Sequence, residues 1–123
     1  MADTINEGQH AGEFIVSQAN GGRSRDRVTF ASGEVIKPGH VLGVVSSSGE
    51  YKEYNPANAD GSETAVAVAY DHVDASGGAA DGPAVTRDAE VNAGELVWFD
   101  GASDAQKSTG QDELEAQSGI IAR

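Results

Sequence analysis

The amino-acid sequence predicts a mainly β fold: a clip-like small barrel of short strands, with one short helix near the C terminus and a flexible N-terminal arm. Three observations lead there. Short apolar runs alternate with clusters of Gly, Asn, Pro and Ser at roughly the 8–12-residue spacing of an all-β barrel, not the spacing of a doubly wound sheet. Helix-forming composition is concentrated in residues 103–118. The opening residues are polar, with Ile5 as their one sizeable aliphatic side chain, too little to offset the entropy of ordering. A chain of 123 residues holds about one domain, so the expected division is an arm over residues 1–11 and a single β-rich domain over 12–123.

The elements follow in order. Phe14-Ile15-Val16 is the first apolar run, and Asn20-Gly21-Gly22 after it is a strong turn signal. Arg27-Val28-Thr29-Phe30 reads as a strand, closed by Ala31-Ser32-Gly33. Glu34-Val35-Ile36 runs into Lys37-Pro38-Gly39, where Pro then Gly suits a tight turn. Residues 41–45 are a β-branched run interrupted by Gly43, the mark of a bulge or bend. Ser46-Ser47-Ser48-Gly49 turns the chain into Tyr51-Lys52-Glu53-Tyr54, and a polar loop over 55–63 follows.

The clearest strand is residues 65–70. One face carries Ala65, Ala67 and Ala69, the other Val66, Val68 and Tyr70; neither is polar, so the strand should be central and covered on both sides. A Gly-rich loop over 76–82 leads to a run over 83–87, and Leu96-Val97-Trp98-Phe99 reads as another strand. In the predicted helix Leu114 is the only large apolar residue and Gly110 weakens the middle; Gly119 should close it before a last strand, Ile120-Ile121-Ala122. The order of residue types in 34–42 returns, one residue shorter, in 90–97, as two strand–turn–strand units would.

Charge and composition narrow the function. Twenty acidic against eight basic residues give a formal charge of −12, which repels phosphate backbones and anionic lipid, so neither nucleic acid nor a membrane surface is an expected partner. Hydrophobic content of 38% and aromatic content of 6% are lean for a self-sufficient core, which favours an oligomer or a larger partner completing it. Without cysteine there is no disulfide and no thiolate metal site. The first residues lack a basic start and an apolar run, so no secretory leader is expected and synthesis in a cytoplasm is.

No candidate for catalysis survives inspection. His10, His40 and His72 fall in the arm, after a Pro-Gly turn and after a strand, with no metal-site spacing between any two. Asn58-Ala59-Asp60-Gly61-Ser62-Glu63 hints at a calcium loop, but Pro56 and Ala67 would fill positions that require oxygen ligands; a turn explains the same residues. Asp71 and Asp74 are placed for paired carboxylates, yet nothing around them desolvates either one. No phosphate-binding glycine loop or nucleophile elbow occurs. No enzyme activity, cofactor or metal is expected. The basic cluster Arg23, Arg25 and Arg27 alternates along a strand, so its side chains share a face; it is either a solvated hairpin with local ion pairs or an anchor for a carboxylate-rich partner.

Taken in order, several segments resemble one family: residues 7–17 (Glu-Gly-Gln-His-Ala-Gly-Glu-Phe-Ile-Val-Ser), Ala19-Asn20-Gly21 with Arg23-Ser24-Arg25, residues 37–43 (Lys-Pro-Gly-His-Val-Leu-Gly), residues 60–65, Arg87-Asp88-Ala89-Glu90-Val91 and the ending Gly119-Ile120-Ile121-Ala122-Arg123. Together they are similar to the head decoration protein D family of tailed phages, across nearly the whole chain. The resemblance implies a β-clip-type fold and a homotrimer on the outer surface of the expanded head. It implies the major capsid protein as partner, and a cement role that reinforces the shell against internal DNA pressure. In such proteins the N-terminal arm adds as a strand to capsid segments, which makes Ile5, His10, Glu13, Phe14, Ile15 and Val16 the expected capsid-binding residues, with Arg23, Arg25 and Arg27 as ionic anchors. Residues 103–118 are more polar than the family suggests. An alternative stays open: residues 32–43 also resemble β-clip domains that accompany sugar-acid dehydratases and sialic-acid synthases, in which case His40 and nearby acids would face a small polar ligand.

Overall fold

The computed structural model describes residues 12, 14–18 and 24–123. They form β1 (Ile15–Gln18), β2 (Arg25–Phe30), β3 (Val35–Ile36), β4 (Val41–Val44), β5 (Tyr51–Glu53), β6 (Ala67–Ala69), β7 (Val73–Asp74), β8 (Ala80–Val85) and β9 (Ala89–Val91). A 3-10 turn (Ala93–Glu95), α1 (Asp104–Ser118) and β10 (Ile120–Ala122) complete the chain. The fold is mainly β with one C-terminal helix, as expected.

Five strands close into a barrel in the order β2-β5-β4-β6-β8. The antiparallel ladder of β2 and β8 runs from Arg25↔Val85 to Phe30↔Ala80, whereas β2 and β5 meet in parallel through Phe30↔Tyr51. A second sheet, β1-β9-β10, lies outside the barrel, with β1 antiparallel and β10 parallel to β9. A parallel pair needs a crossover, and α1 supplies it between β9 and β10.

Strand β6 is central, as its sequence predicts. It pairs with β4 on one side and β8 on the other, and all three residues are buried. Ala67 and Ala69 join Phe30, Ile36, Leu42 and Ala84 inside the barrel. Val68 turns to a second core, shared with Phe14, Tyr54, Val85, Val91, Leu114 and Ile120. The alanines are what allow the barrel to close on so few large side chains, since a close-packed interior tolerates neither voids nor excess volume.

Several expectations need correction. Gly43 marks no bulge: β4 keeps regular register with β5, and the glycine is there because a Cβ would lie 2.6 Å from the Ser62 backbone. The Gly-rich loop ends earlier than predicted, because Gly82 and Pro83 lie within β8; a Cβ at Gly82 would meet Val73 Cγ2 at 2.5 Å. Residues 96–99 form no strand. Val97 makes one isolated bridge, to His40, while buried Leu96 and Phe99 cover the second core through side chains alone. That bridge also brings the two echoed segments into contact, Val41 N–H donating to Val97 O and Val97 N–H to Gly39 O. Strand β9 begins the echoed unit over 90–97, whereas β7 has no counterpart in the sequence reading. The turn signal at Asn20-Gly21-Gly22 lies outside the described residues.

The helix spans its whole polar segment. Ser103 caps it through a reciprocal pair with Gln106, and Gly119, at φ +66°, ends it. Its buried residues are Gly110 and Leu114. A Cβ at Gly110 would lie 2.5 Å from Trp98 Cζ3, so the residue that weakens the helix also lets it seat on the Trp98 ring.

Gly43→Ala should lower stability by about 1–3 kcal/mol through overpacking, because backbone atoms stand in the way. A urea midpoint no lower than that of the natural protein would show that the Ser62 segment yields freely.

Candidate interaction surface

Strands β1 and β10 are the outer strands of their sheet, and among the described residues β1 pairs with β9 alone. An unpaired strand edge presents main-chain donors and acceptors to whatever approaches. Register slips between Ile15↔Val91 and Ser17↔Glu90, which makes Val16 the bulged residue. The expected apolar anchors separate here. Phe14 is 1% exposed and belongs to the domain's own core, Ile15 packs partly against that core, and Val16 is 57% exposed. Val16 and Val35 are the exposed large aliphatic residues among those described. Ile5, His10, Glu13 and Arg23 lie outside the described residues.

The foot of β1 is tied to the barrel. Gly12 N–H donates to Tyr70 O (2.9 Å), Ile15 N–H to Gly12 O (3.1 Å) and Asn92 N–H to Phe14 O (2.8 Å). Beside it, Arg25 lies over the Tyr70 ring at 4.5 Å from the centroid. Arg27, two residues on, is exposed. Asp26 does not pair with these flanking arginines. Its carboxylate accepts from Arg87 and from Thr86 Oγ1, and those bonds, Arg87 first, hold its pKa below the ordinary range. Among the described residues the acid between Arg25 and Arg27 is thus paired to Arg87 instead of either.

The other candidates resolve into structural roles. His40 is 6% exposed, and its Nε2 shares a 2.7 Å hydrogen bond with Glu53 Oε2, while Glu53 N–H donates to Glu34 Oε1. The ring is buried at the start of β4, beside the backbone bridge from His40 to Val97. Asp74 accepts from Ser76 N–H and Oγ–H, and those bonds lower its pKa; Asp71 accepts from His72 N–H. Both acids serve turns. Among the described residues no group of three or more His, Asp or Glu side chains is placed to hold a metal. A cleft of about 180 Å³ is lined by Tyr54, Pro56, Ala105, Gln106 and Thr109. Its one ionisable group, the Tyr54 phenol, is pushed up by burial and then by the Glu113 charge, so it stays neutral.

Against this geometry, a bacteriophage lambda head decoration protein D family model matches residues 4–120. The chain belongs to that family. No curated protein matches it significantly. Decoration proteins of this family are structural components of the phage head, and the surface just described is read accordingly. Two contributors to it, Gly12 and Tyr70, are 58 positions apart in the chain and meet only in the folded structure. The positive φ of Gly12 and its contact with Tyr70 are long-range matters that leave no local trace.

Asp60 supplies a pH test of the loop that resembles a calcium site. Ser62 Oγ–H (2.5 Å) and Ser62 N–H (3.1 Å) donate to its carboxylate, with Lys52 nearby, and hold its pKa at about 2 against the usual 3.8. A value lowered by folding means the contact stabilises fully above 3.8 and is lost as pH falls through about 2. Asp60→Asn should therefore flatten the fall in unfolding midpoint over that window; a fall as steep as in the natural protein would assign it to other carboxylates.

Proposed function

We propose that this protein decorates the outer surface of the expanded phage head as a homotrimer and stabilises the shell against the pressure of packaged DNA. The observation that carries this reading is an outer strand, β1, that continues directly from the N-terminal segment of a chain in the decoration family. On docking, residues 1–11 extend the strand geometry of β1 and add to a sheet edge of the major capsid protein. Main-chain hydrogen bonds supply the affinity, offset by the cost of ordering the segment. Val16 is the apolar side chain of β1 that faces the partner, with Ile5, His10 and Glu13 acting from the arm, while Phe14 and Ile15 hold the strand to the body. Arg25 and Arg27, with Arg23, meet carboxylates on the shell.

The charge of −12 keeps free copies apart until a specific surface captures them. On the head, three copies related by a rotation close a ring, and three linked contacts gain avidity over one. That arrangement also covers apolar surface that a lean core leaves in place.

Deletion of residues 1–11 should leave a cooperatively unfolding domain that no longer sediments with purified expanded heads. Co-sedimentation equal to that of the full chain would overturn the arm mechanism. Val16→Asp should weaken head binding while moving stability by no more than about 0.5 kcal/mol, as is usual for an exposed site; an unchanged affinity would remove Val16 from the interface.

A further inference from the structure

Gly12 has a conformation and a neighbour that together make a clasp. Its φ is +69°, and a Cβ there would stand 2.8 Å from Tyr70 Cε1 and 3.0 Å from Cζ and Oη. The Gly12 backbone is thus laid directly on the Tyr70 ring, and only glycine permits both the left-handed φ and the approach. The same two residues are joined through the main chain, Gly12 N–H to Tyr70 O at 2.9 Å. Tyr70 is itself held on two further sides. Its N–H donates to Pro83 O (3.1 Å) in β8, and the Arg25 guanidinium from β2 lies over its ring. Arg25 Nε is buried with no hydrogen-bond partner among the described residues, which leaves the ring as what retains that part of the side chain.

We infer that Tyr70, gripped by Gly12 and Arg25, is a positioning residue that fixes where residues 1–11 join the body and thereby sets how tightly the protein holds the head. The inference rests on the arm reading above. An arm rooted on a rigid ring begins its docking with one end already placed. An arm rooted on a loose tether must also lose the freedom of the root, and rigidity of that kind appears as affinity without any new contact. Tyr70 touches the partner nowhere in this scheme; it acts through Gly12.

The test compares binding to purified expanded heads for the full chain, the chain lacking residues 1–11, and full-length Gly12→Ala, Tyr70→Leu and Tyr70→Phe. Gly12→Ala and Tyr70→Leu should each weaken binding about tenfold, the scale of a lost pre-organising contact. Binding is compared at a temperature where every variant is fully folded, and Tyr70→Phe, which keeps the ring, should bind normally. Amide exchange at residue 12 gives a direct second reading, slow in the natural chain and fast in Tyr70→Leu. If removal of residues 1–11 abolishes binding while Gly12→Ala and Tyr70→Leu bind normally, or if the Gly12 amide exchanges as fast as a free one, the clasp is overturned and the arm reading stands. If removal of residues 1–11 costs nothing, the arm reading falls and the clasp with it.

Discussion

Strand β6 has to be covered on both faces at once, and its neighbours are arranged to meet that demand. Ala67 and Ala69 face the barrel interior while Val68 faces the second core, all three at 0% exposure. The hydrogen bonds of β6 go to β4 and β8, so the barrel wall on either side is positioned by the same three residues. The next residue, Tyr70, is where Gly12 is laid and Arg25 is stacked. Position is thus passed along one short run, from barrel interior to second core to the foot of β1. A bulky side chain at Ala67 or Ala69 would disturb the packing inside the barrel and, through Tyr70, the point where the N-terminal segment begins.

The second core is where the lean composition is felt. The helix contributes one large side chain, Leu114, and burial of a leucine is worth roughly 1.5–3 kcal/mol. The remaining attachment is polar and specific: Glu113 Oε1 accepts from Ala65 N–H at 3.0 Å, and Ser118 Oγ donates to Val66 O at 2.6 Å. Both bonds reach the chain just before β6. Helix and barrel are therefore registered to each other by groups whose burial would be costly if they were unpaired. The polar character of residues 103–118 reflects this mode of attachment rather than a detached helix.

The parts of the fold that were legible in the sequence are those governed by local chemistry. Pro38-Gly39, the two-faced apolar run of β6, and the Gly119 stop followed by Ile120 all behave as their residue types require. The parts that were not legible depend on distant partners. Gly43, Gly82 and Gly110 read as breaks and are places where another segment presses in: Ser62, Val73 and Trp98 respectively. Residues 96–99 have strand composition, but only Val97 finds a backbone partner. At the candidate interaction surface, order within the chain brought out the decoration family, whereas Phe14 and Val16 look alike in sequence and are separated only by a core and a bulge.

The way the barrel closes has a mechanical consequence. Between β2 and β8 a long antiparallel ladder joins the wall, whereas between β2 and β5 it is joined at Phe30 and Tyr51, helped by Ala31 N–H donating to Tyr51 O at 2.8 Å. The wall is accordingly anisotropic, stiff along the ladder and compliant at the seam. A load that pulls β2 and β8 past each other is shared by many hydrogen bonds in shear, and one that peels β5 from β2 falls on very few. A body of this build resists strain best when it is mounted so that tension runs along β2 and β8 and the seam is left slack.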